Sequence, residues 1–79
     1  MNGSQLMFLS NGSTKVRINE KYQDRYGDAA GVFCLVGYSV RHCIDGGMRK
    51  TMWHGIISRT PADENTESVP AEQLDLAEV

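Results

Sequence analysis

Val69-Pro70-Ala71-Glu72-Gln73-Leu74-Asp75-Leu76 reads as the end of one strand, a tight turn and a closing strand. Pro70 has no N–H to give a ladder, so it breaks the strand that begins near Glu67. Ala71-Glu72-Gln73 fits a single 3₁₀ turn, after which Leu74 and Leu76, two residues apart, point inward together. A strand that closes straight after such a turn completes a very small barrel. The stretch therefore decides the fold class, which is all-β.

The strands that it would close lie upstream. Lys15-Val16-Arg17-Ile18-Asn19 alternates polar and β-branched residues, which turns Val16 and Ile18 inward. Val32-Phe33-Cys34-Leu35-Val36-Gly37-Tyr38-Ser39-Val40 is the strongest strand, and Gly37 inside it allows a sharp bend. Ile44-Asp45-Gly46-Gly47 is a hairpin turn, since Asp-Gly tolerates positive φ. With Asp45-Gly46 as the two turn residues, Tyr38 falls opposite Trp53 and His54 opposite Gly37. Arg49 to Ile57 is the returning strand, and Arg59 to Ser68 is a polar loop. Glu20 to Gly31 reads as a long ordered loop, with one helical turn from Glu20 to Tyr26 as the alternative.

The order of these segments resembles the Src-homology-3-like small barrel over about residues 13–78. The resemblance implies five strands with the 3₁₀ turn before the last one. Residues 1–12 stand outside it, as a flexible N-terminal segment or an extra strand, with 13–79 as the barrel domain. Leu6-Met7-Phe8-Leu9 is apolar enough for such a strand or for a dimer contact, so the chain reads as a monomer or a homodimer.

At 79 residues there is room for one domain, and one this small buries only about 60–65% of its unfolded surface. The net charge of −2 decides little, but its distribution is uneven. All eight Lys and Arg lie between Lys15 and Arg59, while the six acids from Asp63 to Glu78 face no Lys or Arg beyond Thr60. No apolar run of about 18 residues is present to span a membrane. The start lacks the basic region of a secretory signal. Cys34 and Cys43, nine positions apart on one strand, would lie about 30 Å apart on opposite faces, too far for a disulfide. Reduced thiols and a cytoplasmic protein follow as the expectation.

Little here carries catalysis. Cys34, His42, Cys43 and His54 lack the paired short spacings that hold zinc, so no metal is expected. A cysteine nucleophile needs a base within reach, and His54 is not placed opposite Cys34. Gly27-Asp28-Ala29-Ala30-Gly31 is only superficially a phosphate loop, because no helix follows it. No cofactor is expected.

Two binding surfaces remain. In Src-homology-3 domains a tyrosine-bearing first loop, a tryptophan and the proline of the last turn form an aromatic groove for proline-rich peptides. The resemblance carries that role to Tyr22, Tyr26, Trp53 and Pro70. The tyrosine usual in the final turn is replaced by Ala71-Glu72-Gln73. The second surface is the basic hairpin, where Arg41, Arg49 and Lys50, with His42 nearby, would meet nucleic-acid phosphates. A remote third reading comes from the type II dihydrofolate reductases, which are similar at Val69-Pro70-Ala71-Glu72-Gln73-Leu74 and at Lys15-Val16-Arg17. Their pore residues include a glutamine and a tyrosine just before the proline. Thr66-Glu67-Ser68-Val69 has neither, so no catalytic residue transfers. The sequence therefore reads as a small non-catalytic module for protein docking, with nucleic-acid binding as the alternative.

Overall fold

The short strand β1 (Lys15–Ile18) sets the layout. Val16 and Ile18 are buried and Arg17 is exposed, as period-2 alternation requires. One edge of β1 pairs with β5 (Leu74–Leu76), matching Val16 to Leu76, Arg17 to Asp75 and Ile18 to Leu74. Its other edge pairs with the base of β2 (Phe33–Asp45) through Lys15–Cys34 and Val16–Phe33. β2 returns as β3 (Met48–Ser58), which pairs with β4 (Glu67–Pro70). All these pairings are antiparallel, so one sheet runs β4-β3-β2-β1-β5. A computed structural model describes residues 1–27 and 30–77. Asp28 and Ala29 of the glycine-rich loop, and the last acid Glu78, lie outside them.

β4 and β5 are the two sheet edges, and they are joined by a 3₁₀ turn at Ala71–Gln73. Pro70 is the last residue of β4, so the strand stops where the missing N–H predicts. No ladder joins β4 to β5 among the described residues, and the sheet stays open. Leu74 is fully buried, whereas Leu76, expected inside, is 48% exposed. It shares the inward face with Leu74 but sits at the last rung of the β1–β5 ladder, where about half of its surface meets solvent.

Residues 1–12 do not add a strand. Gly3–Leu9 is a helix, α1. Asn2 accepts from the Gln5 N–H and the Gln5 side chain accepts from the Asn2 N–H, a reciprocal cap that starts it. Leu6 is fully buried within the core of the sheet. The Met1 amino group donates to the Ala71 and Leu74 carbonyls at 3.0 and 2.8 Å, which pins the start of α1 beside the closing turn. The segment after β1 is a 3₁₀ helix at Glu20–Arg25, capped by Asn19, rather than a loop.

The core gathers Leu6, Val16, Ile18, Phe33, Leu35, Ile57, Val69 and Leu74. Gly55 on β3 is the point of closest approach. A Cβ there would stand 2.5 Å from Leu74 Cδ1 and 3.1 Å from Leu35 Cδ1, so only glycine lets the strand lie against them.

Candidate functional site

β2 and β3 are much longer than their neighbours, at 13 and 11 residues against four each in β1 and β4. β1 holds β2 only at Phe33 and Cys34, and β4 holds β3 only from His54 to Ile57. Beyond those points β2 and β3 continue as a two-stranded arm with no third strand among the described residues. Every residue from Arg41 to Met52 is exposed.

The tip is not the Asp45-Gly46 turn. Asp45 pairs with Met48, and Gly46 and Gly47 form the turn with φ of 59° and 82°. A two-residue turn of this hand needs positive φ at both positions, which Gly-Gly meets without strain and Asp45 would not. The change moves each cross-strand partner by two residues. Val40 is opposite Trp53, Tyr38 is opposite Gly55, and His54 is opposite Ser39 instead of Gly37. Because two residues is a full strand period, every side chain keeps its face. Tyr38 and Trp53 still meet as diagonal neighbours, with ring centroids 5.9 Å apart.

The register gives the arm two different faces. The inner face continues the side of Gly55 that meets the core, and it carries Tyr38, Val40, His42 and Ile44 beside Arg49, Thr51 and Trp53. Ile44 is 77% exposed. This face holds one cation, Arg49, and no acid. His42 Nδ1 and Thr51 Oγ lie 3.3 Å apart across the ladder. A hollow of about 500 Å³ lies against His42, Ile44, Arg49 and Thr51 of this face and reaches Cys43 of the other. The outer face carries Ser39, Arg41, Cys43 and Asp45 beside Met48, Lys50, Met52 and His54. Met48 is 73% exposed, and Lys50 sits 3.5 Å from Asp45.

At its base the arm opens into a cleft of about 340 Å³, lined by Trp53, His54 and Pro70 with Met1 and Gly3 of the chain start. The Trp53 ring lies so close over Gly3 that a Cβ on Gly3 would overlap it. His54 Nδ1 is buried there without a hydrogen-bond partner among the described residues.

The structure thus brings Trp53 and Pro70 together, and it leaves the tyrosines elsewhere. Neither Tyr22 nor Tyr26 lines the cleft. The Arg25 guanidinium lies 5.3 Å from the Tyr22 ring centre. Tyr26 donates its hydroxyl to Gln73 Oε1 at 2.6 Å. Burial pushes the Tyr26 phenol above its ordinary value; nearby Arg25 opposes that shift and Glu67 adds to it. The basic residues are divided as well, with Arg49 on the inner face and Arg41 and Lys50 on the outer. The exposed apolar residues Ile44, Met48 and Met52 are the part of the surface that sequence reading passed over. Their signal is the mismatch in strand length, which no local pattern carries.

Cys34 and Cys43 are free thiols. Cys34 is buried between strands, where Lys15 Nζ donates to its sulfur at 3.1 Å and the thiol points to the Arg59 carbonyl at 3.8 Å. Its cross-strand partner is Ser58. Among the described residues no three His, Cys, Asp or Glu side chains gather where they would hold a metal ion, and no helix is long and apolar enough to cross a membrane. Comparison with family models, with curated proteins and with solved structures yields no match.

Proposed function

We propose that the chain is a Src-homology-3-like small barrel that works as a non-catalytic docking module for another protein, through the inner face of the β2–β3 arm. The strand order supports the fold reading, with β1 between β2 and β5 and a 3₁₀ turn before the last strand. The observation that carries the function is the arm itself. A two-stranded ribbon standing alone in water is marginal, and here it bears exposed Ile44 and Tyr38. Apolar side chains beside the Arg49 guanidinium, with no acid among them, fit an apolar surface with acidic residues on the partner. Two free cysteines agree with a reducing compartment such as the cytoplasm.

The test places a photo-reactive amino acid at Ile44 in cells and, as a control, at exposed Asp24 on the far 3₁₀ helix. The reading expects a protein adduct from position 44 alone, lost when Arg49→Glu is added. Labelled DNA and RNA are titrated at two salt concentrations. Steeply salt-dependent binding, lost in Arg49→Ala/Lys50→Ala, would replace the protein reading with a nucleic-acid one.

A further inference from the structure

The outer face of the arm differs from the inner face in one respect: it carries both signs of charge in a spaced pattern. Asp45 stands at the tip of β2, Cys43 lies two residues down and Arg41 two further, all on one face. Across the ladder their partners are Met48, Lys50 and Met52. The face therefore holds a carboxylate and a methionine at one end, and a guanidinium and a methionine at the other.

We infer that a second copy of this chain covers this face, with the two arms stacked antiparallel about a two-fold axis that crosses at Cys43 and Lys50. Such an axis lays Asp45 of each copy over Arg41 of the other, and Met48 of each over Met52 of the other. A face that pairs with itself in this way is the requirement of an isologous interface. The arrangement covers the exposed Met48 and Met52 and gives the ribbon a second layer, which a lone hairpin lacks. Lys50 then lies on the axis opposite Lys50 of the second copy, and each of the two ammonium groups is balanced by its own Asp45, 3.5 Å away. Asp45 is then shared between that lysine and Arg41 of the second copy. The inner face is left free, so this inference goes beyond the docking function and stands or falls apart from it.

Charge reversal with the full chain tests the pairing. In sedimentation velocity the protein is expected to reach twice its 8.8 kDa mass as concentration rises. Asp45→Arg alone and Arg41→Asp alone each set like charges opposite one another twice. Either should raise the dissociation constant about tenfold or more. An equimolar mixture of the two variants restores opposite charges at both contacts and should associate where neither variant does. Both positions are exposed, and circular dichroism checks that the variants keep their fold. A short bis-maleimide should join Cys43 of one copy to Cys43 of the other, while Cys34, 1% exposed, is spared. A wild-type chain that stays monomeric up to about 1 mM overturns the inference. So does a dimer indifferent to either reversal, or a mixture that associates no better than its parts. An Ile44 adduct from a monomeric chain would remove the dimer and leave the docking function in place.

Discussion

Tyr26 donates its hydroxyl to Gln73, tying the segment after β1 to the turn that precedes β5. The bond spans 47 positions of sequence and ends on a side chain that is itself buried. The hydroxyl of a tyrosine expected to face a ligand is thus engaged by the closing turn.

Tyr26→Phe should cost about 1–2 kcal/mol in urea denaturation at neutral pH, because Gln73 loses its donor in a buried place. The pH dependence follows from the direction of the shift. The phenol is raised above 10.0 in the fold, chiefly by burial. The folded state therefore holds the proton more tightly than the unfolded state. Its contribution is fully present below pH 10 and is lost as pH rises through the folded-state value. Wild type should lose stability above pH 10 more steeply than Tyr26→Phe, and parallel slopes would contradict this assignment.

Leu6→Ala should destabilise the protein by about 2–5 kcal/mol, the usual range for a buried leucine. Leu6 is fully buried with Leu35 and Leu74, although it belongs to a seven-residue helix at the chain start. Chemical denaturation measures the loss. A change below about 0.5 kcal/mol, typical of surface positions, would mean that α1 is not part of the core.

The same residue marks where sequence reading stops. Val16, Ile18, Pro70 and Leu74 were legible because strand alternation and a proline are local signals. Helix α1 was not, since seven residues hold less than two full turns of pattern and Leu6 is fixed by tertiary contact. The arm was illegible for a different reason. Val40 and Ile44 look like any buried strand, and the exposure of Ile44 follows from β1 and β4 stopping after four residues each. The turn was misplaced by one residue because Asp-Gly is also a two-residue turn signal, although Gly-Gly takes positive φ at both positions with less strain. The error left the faces intact, so Tyr38 and Trp53 still meet.

Gly55→Ala should destabilise by about 1–3 kcal/mol, the cost of overpacking a filled core. Its Cβ would press on the side-chain ends of Leu74, Leu35 and Leu6 together, all three fully buried. Thermal unfolding gives the readout, and an unchanged midpoint would place the strands further apart than described.

Ile44→Asp should leave stability within about 0.5 kcal/mol of wild type, because the side chain is 77% exposed at the far end of the arm. The same change should abolish the adduct captured from a neighbouring inner-face position such as Thr51. Loss of the fold would mean that the inner face packs on the core instead of standing free.

The arm can also be removed whole. Val40 and Trp53 are cross-strand partners, so deleting Arg41–Asp45 and Met48–Met52 leaves Gly46-Gly47 to join them as a two-residue turn. The melting temperature of this shortened chain shows whether the arm serves recognition or the core. A cooperative transition within about 8 °C of wild type is expected, the shift from roughly 1 kcal/mol in a domain of this size. A chain that no longer unfolds cooperatively, or that melts far below that range, would contradict it.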